Sequence, residues 1–231
     1  MKKLVFTETS GLVFSQFAQH TIPWMKKYAD KIGADFLYDE KEKKLKYPLF
    51  GKYKVYDLLE EYDRILFLDI DILIRPDSPD IFELTPEDKF AAFCEGSWSN
   101  DQELLARLVY LKNIADAYGI DFSNFDMTFD YFNAGVFVAS KCHKEIFSMP
   151  EENPIMSQIT SEQNLLNLRL KSGGFKAYHL PICFNSMPWQ WSRWYLNDSY
   201  FIHHAGGKPF DRVKAIEKDV KYLKSFDNSV V

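Results

Sequence analysis

The chain has 231 residues, 46% of them hydrophobic, 16% aromatic and 26% charged, with a net charge of −5 and a pI near 5.6. That length suits one α/β domain burying about 70–75% of its extended-chain surface, and the acidic balance argues against nucleic acid or an anionic membrane surface as partner. Cys94, Cys142 and Cys183 are an odd number without metal-type spacing, which argues against a disulfide framework. The apolar start Leu4-Val5-Phe6 is too short for a signal peptide and no transmembrane-length apolar span follows, so a cytoplasmic or soluble chain is expected.

Leu4-Val5-Phe6 reads as a first core strand that runs into the polar turn Thr7-Glu8-Thr9-Ser10-Gly11. Ligands of open α/β sheets bind beyond the carboxyl ends of strands, which makes Thr7, Glu8 and Thr9 candidate nucleotide contacts. An ordinary strand-to-helix turn capped by Ser10 fits equally well. No G-x-G-x-x-G follows, against a dinucleotide site. Apolar residues from Phe14 to Ile32 recur at helical spacing, with Pro23 expected to kink or restart the helix and Gly33 to cap it. A short strand over 35–38, a charged loop over 39–46 and a second helix over about 49–62 come next.

Residues 62–74, Tyr-Asp-Arg-Ile-Leu-Phe-Leu-Asp-Ile-Asp-Ile-Leu-Ile, are an apolar run interrupted by two acids, in which Ile65 to Leu68 and Ile72 to Ile74 read as buried strand. Carboxylates at such a place cost desolvation and mutual repulsion unless something compensates. No Lys or Arg lies between Arg64 and Arg75. In an extended segment Asp69 and Asp71 project from one face and can grip one divalent ion through oxygen.

Residues 75–79 read as a turn, 90–94 as a strand, and 104–118 as a helix with Leu104, Leu105, Leu108, Leu111, Ala115 and Tyr118 on its inner face. Residues 121–130 are an irregular connection expected over the site. Strands alternating with helices predict a largely parallel sheet with right-handed crossovers.

In Tyr131-Phe132-Asn133-Ala134-Gly135-Val136, the small Ala134 and Gly135 let the backbone approach something closely before the core strand resumes. A further helix carries Glu162-Gln163-Asn164-Leu165-Leu166-Asn167, with the leucines inward and Gln163 facing the other way. Residues 175–180 read as a strand. Trp189, Trp191 and Trp194 surround Gln190 and Arg193, and with residues 98–102 they are candidates for stacking on sugar rings or for filling the core. A strand over 200–202 delivers His203-His204-Ala205-Gly206-Gly207-Lys208, one neutral nitrogen ligand and one cation with bare backbone between. An amphipathic helix over 213–223 closes the chain.

Taken together, Leu68-Asp69-Ile70-Asp71, Tyr131 to Val136, Glu162 to Asn167 and His203-x-x-Gly206-x-Lys208-Pro209 resemble the retaining GT-A nucleotide-sugar glycosyltransferases. The first three segments are similar to the glycogenin and lipopolysaccharide galactosyltransferase group. The fourth looks closer to the xyloglucan xylosyltransferase and yeast galactosyltransferase group, with Phe210 where the glycogenin type has Trp.

The resemblance implies a GT-A, Rossmann-like α/β fold: a single domain over 1–231 with a mixed, mainly parallel central sheet flanked by helices. It implies Mn²⁺, or Mg²⁺, on Asp69, Asp71 and His203, with His204 the rival for the third place by adjacency. It further implies a nucleotide-sugar donor, UDP-sugar favoured, and a glycan or other hydroxyl acceptor. Lys208 would contact the diphosphate with Gly206 beside it, Asp69 would lie near the ribose, Asn133 would bind the donor sugar, and Gln163 would lie under the anomeric carbon. Two other readings of the acids are a metal-dependent phosphohydrolase and a carbohydrate- or nucleotide-binding module without transfer activity. Against the phosphohydrolase, Leu73 stands where that class carries Thr or Val.

Overall fold

The structure is a computed structural model that describes residues 1–41, 46–158, 160–187, 195–206 and 209–225. Its six-stranded sheet has the order β2-β1-β3-β6-β5-β7. The strands are β1 (Lys3–Ser10), β2 (Asp35–Lys41), β3 (Arg64–Leu68), β5 (Phe90–Ala92), β6 (Val136–Ser140) and β7 (Ala177–His179). β1 pairs parallel with β2 and β3, β5 pairs parallel with β7, and β6 runs antiparallel to both its neighbours. The mixed, mainly parallel sheet is as expected.

Alternation along the strands builds a core on each face. Leu4 pairs with Ile65 and Phe6 with Phe67, and these pair onward with Ala139 and Phe137. Their face is filled by α4 (Asp101–Tyr118) and α5 (Ser161–Ser172). There the Phe67 and Phe137 rings stack at 5.0 Å, and each such ring contributes about 1.5–3 kcal/mol by burial. Val5, Leu66, Leu68, Val136 and Val138 face the other way, onto α1 (Leu12–Lys31) and β4 (Ile72–Ile74).

Several boundaries differ from expectation for physical reasons. β1 does not turn at Thr7: pairs from Thr7↔Tyr38 to Ser10↔Lys41 carry both strands further, so part of the expected loop after Tyr38 is strand. Gly11, at φ 85°, opens α1 without a side-chain cap, so Ser10 does not cap it. α1 runs through Pro23 without restarting, because Pro23 and Gln19, whose carbonyl it deprives of a partner, both lie on the exposed side. The cap at Gly33 is as expected: its φ is 64°, and the Gly33 and Ala34 N–H groups donate to Asp30 and Ala29. The helix over 49–62 is a 3₁₀ stretch, Pro48–Lys54, followed by α2 (Val55–Glu61).

α4 is capped by Asn100 and Glu103. It buries Leu111, Ile114 and Ala115, while Leu105, expected inward, is 64% exposed. In residues 121–130, Phe122, Phe125 and Met127 pack onto the core. A small second sheet pairs β4 with β8 (Phe201–His203), and α7 (Pro209–Lys224) packs Ile216 and Leu223 beside α1 and these strands. All three cysteines are free, as expected. Among the described residues no helix is long and apolar enough to cross a membrane.

Candidate metal and donor site

Asp69 follows the last residue of β3, where its N–H still donates to the Gly135 carbonyl at 2.8 Å. The chain then turns, with Ile72 N–H donating to the Asp69 carbonyl, so a turn rather than an extended segment aims both acids one way. His203 arrives by pairing: β4 and β8 run antiparallel with Ile72 opposite His203, one residue from Asp71. The three residues place ligand atoms within 4.8 Å of one another. His203 Nε2 lies 3.7 Å from Asp69 Oδ2 and 3.4 Å from Asp71 Oδ1. Neighbouring ligands around an ion with bonds of about 2.1 Å stand about 3 Å apart, so small movements would close a shell.

The imidazole is set up for this. Its Nδ1 lies 2.7 Å from Asn185 Oδ1, and since that oxygen can only accept, Nδ1 carries the proton and the Nε2 lone pair faces the acids. The Asn185 amide is fixed in turn by donating to Asn133 Oδ1 at 2.9 Å. Burial pushes the His203 pKa down, with Asp69 opposing, which favours the neutral ligand form. His204 is turned away, with Nε2 2.9 Å from Asp219 Oδ2, and ties α7 to the site instead.

Two cations that the local sequence did not reveal stand on the acids. Buried Lys52 places its Nζ 3.3 Å from Asp69 Oδ1, 3.6 Å from Glu162 Oε1 and 3.1 Å from the Ala134 carbonyl. Burial would push the Lys52 pKa down, but the Asp69 and Glu162 charges outweigh it and hold the ammonium above its usual value. Glu162 is shifted up by burial against the pull of Lys52. Arg212, from the first turn of α7, makes an ion pair with Asp71 Oδ2. Lys52 and Arg212 reach the acids from distant segments, and no spacing signals them. Asn185 did leave a mark, as a polar residue with Ser186 between Phe184 and Met187.

Gly135 and Asn133 sit under the cluster. A Cβ on Gly135 would stand 2.8 Å from Asp69 Oδ2, 3.0 Å from Asn133 Oδ1 and closer still to His203 Cε1. The close approach expected of this glycine is therefore to the acid and the histidine. Gln163 Oε1 accepts from Ala134 N–H at 3.0 Å, and Nε2 donates to Glu95 Oε2 and the Tyr131 hydroxyl. Glu95 also accepts from Asn133 and pairs with Arg107 at 2.8 Å, which locks both amides. Burial pushes the Tyr131 pKa up to about 12.

Asp69, Asp71, Asn133, Gln163, His203, Gly206, Glu8 and Thr9 all line one cleft of about 360 Å³, of the size that small ligands use. Thr7 is fully buried and is not on that lining. Trp98 is 51% exposed. Lys208 and the tryptophans at 189, 191 and 194 lie outside the described residues.

Two acids and a histidine thus gather on a mixed sheet, where β3 ends and β8 arrives. The structure is similar to a glycosyltransferase involved in glycosylation of the major capsid of PBCV-1, at TM-score 0.63 and 14% identity, over 94% of this chain and 100% of that one. It is also similar to the bifunctional glycosyltransferase WbbM (TM-score 0.56, 13% identity, 99% of this chain and 52% of that one). GlyE of Streptococcus pneumoniae TIGR4 gives TM-score 0.56 and 14% identity, over 100% of this chain and 64% of that one. The chain thus spans about half of WbbM and under two thirds of GlyE. Residues 13–205 match glycosyl transferase family 8, and the chain belongs to that family. This bears out the expectation of a glycosyltransferase. No curated protein matches the sequence.

Proposed function

We propose that the chain is a metal-dependent glycosyltransferase. It moves a hexose or pentose from a nucleoside diphosphate sugar, with UDP-sugars favoured, to a hydroxyl of a glycan or other acceptor, with retention, and residues 1–231 form one catalytic domain. The observation that carries this reading is the His203 imidazole, whose Nε2 lone pair is held toward Asp69 and Asp71 by Asn185. Asp69, Asp71 and His203 would hold Mn²⁺, or Mg²⁺, which when bound draws off charge that develops on the departing diphosphate.

The chain's own residues do the rest. Glu8 and Thr9, at the carboxyl end of β1, are assigned to the nucleoside, with Thr7 supporting from behind, and Asp69 is assigned to the ribose as well. Gly206, at φ 76°, exposes bare backbone for phosphate, and Lys208, two residues on in the sequence, is assigned to the same diphosphate. Lys52 is held charged and turned toward Asp69, and a charge fixed in advance stabilises a leaving anion without reorganisation. Asn133 and Gln163 form the floor for the donor sugar. Gln163 is an amide with both ends engaged, a poor nucleophile. The glycosyl–phosphate C–O bond therefore breaks with charge building at the anomeric carbon above Gln163 Oε1. The acceptor oxygen bonds on the same face, and its proton passes to the leaving phosphate. Trp98 and the tryptophans at 189, 191 and 194 are assigned to the acceptor.

A thermal-shift screen of nucleotide sugars with and without Mn²⁺ tests the donor. At 100 times its Kd a true donor stabilises by about 2.7 kcal/mol, or about 5–11 °C for a chain of this size. Hydrolysis of nitrophenyl phosphate without any such shift would favour the phosphohydrolase. NMR of the product tests the stereochemistry, and an inverted anomer refutes the same-face step.

A further inference from the structure

Arg212 lies beyond the residues that match the family, yet it enters the same cleft. Its guanidinium lies over the ring of the fully buried Phe17, 4.7 Å from the centroid, so one flat face is packed and only the edges can bind. One edge takes Asp71 Oδ2. Asp71 Oδ1 faces His203 Nε2 instead, so this carboxylate divides its oxygens between the metal cluster and the arginine. The Arg212 Nε is buried without a hydrogen-bond partner. Burial depresses its pKa, Asp69 opposes this, and a guanidinium stays protonated regardless.

A divalent ion on Asp71 would draw off the charge that Arg212 now neutralises. The arginine would then be a largely buried cation with a depleted partner and an unused N–H, a costly state unless an anion enters. A phosphate suits the planar fork of donors best.

We propose that Arg212 changes partner during loading: it is the counter-ion of Asp71 in the metal-free chain and of the donor's diphosphate once the metal shares Asp71. This rests on the nucleoside diphosphate donor proposed above. Arg212 therefore opposes the metal alone and favours the nucleotide, and the two bind cooperatively.

The test compares wild type with Arg212→Met, which keeps the stem over Phe17 and removes the charge, and with Arg212→Lys. Mn²⁺ affinity is read by EPR without nucleotide, and UDP affinity by calorimetry at saturating Mn²⁺. Arg212→Met should bind Mn²⁺ alone at least as tightly as wild type and lose UDP affinity on the order of 10- to 100-fold, as for a charged hydrogen bond. Arg212→Lys should lose less. A purely structural role would lower both affinities together, and that result, or an unchanged UDP affinity, overturns the proposal. A wild-type chain that binds neither Mn²⁺ nor UDP overturns the donor reading itself; wild-type binding that the variants leave unaltered overturns only the role of Arg212.

Discussion

Gly135→Ala is the smallest change that should separate the metal site from the fold. Gly135 is not among the glycines with positive φ, so alanine can adopt its backbone, and the effect is confined to the space a methyl needs. That methyl would stand 2.8 Å from Asp69 Oδ2, 3.0 Å from Asn133 Oδ1 and nearer still to His203 Cε1. His203 is buried and bonded to Asn185, so it cannot simply swing away. Overpacking of this kind costs about 1–3 kcal/mol, or roughly 2–12 °C in Tm, and should leave a folded protein. The metal suffers more, because two ligands and Asn133 must shift at once. Disturbing an outer partner alone costs 10- to 100-fold, so Mn²⁺ affinity should fall by at least about 100-fold. EPR of free Mn²⁺ reads that loss, and circular dichroism confirms the fold. Mn²⁺ binding by Gly135→Ala within about threefold of wild type would refute the placement of the ion.

Asn185→Leu removes the group that fixes the His203 proton on Nδ1, and should weaken Mn²⁺ on the order of 10- to 100-fold while leaving Asp69 and Asp71 in place; calorimetry checks it. Lys52→Met strands buried Glu162 and should cost about 3–5 kcal/mol in urea unfolding, most of it recovered by adding Glu162→Gln. No recovery would place the loss elsewhere. Trp191→Ala should raise the acceptor's KM and not the donor's, in steady-state kinetics with each substrate varied. His143 is buried, its Nδ1 accepts from Ser140 N–H, and burial pushes its pKa down to about 4. As pH falls from about 6.5 to 4 the unfolded chain gains a proton that the native imidazole refuses, so stability is lost on acidification, by up to about 3 kcal/mol. His143→Asn should flatten that loss in urea midpoints at pH 4.5 and 7, and an unchanged slope would sink the assignment.

The parts of the fold legible in the sequence are those in which local pattern and tertiary demand agree. The apolar run of β3, the acids behind it and the small residues at 134 and 135 announce a buried strand end with a tight approach, and that is where they lie. The parts that escaped depend on partners remote in sequence. Nothing local shows that Thr7 to Ser10 continue as strand, because β2 supplies the ladder. Leu105 has the spacing of an inward residue, yet the core meets α4 along Leu111, Ile114 and Ala115.

The acids themselves show where a local argument overreached. Between Arg64 and Arg75 there is no Lys or Arg to compensate Asp69 and Asp71, but Lys52 and Arg212 arrive from elsewhere and do so. Charge balance therefore cannot by itself require an ion. What asks for one is direction. A histidine included only to pack would be free to donate Nε2–H to either acid, yet Asn185 commits the proton to Nδ1 and leaves a lone pair aimed at two carboxylates. Lone pair against anion is repulsive until an electrophile stands between them. The fold maintains that arrangement through β8, Asn185 and Asn133, and an ion accepting from Asp69, Asp71 and His203 resolves it.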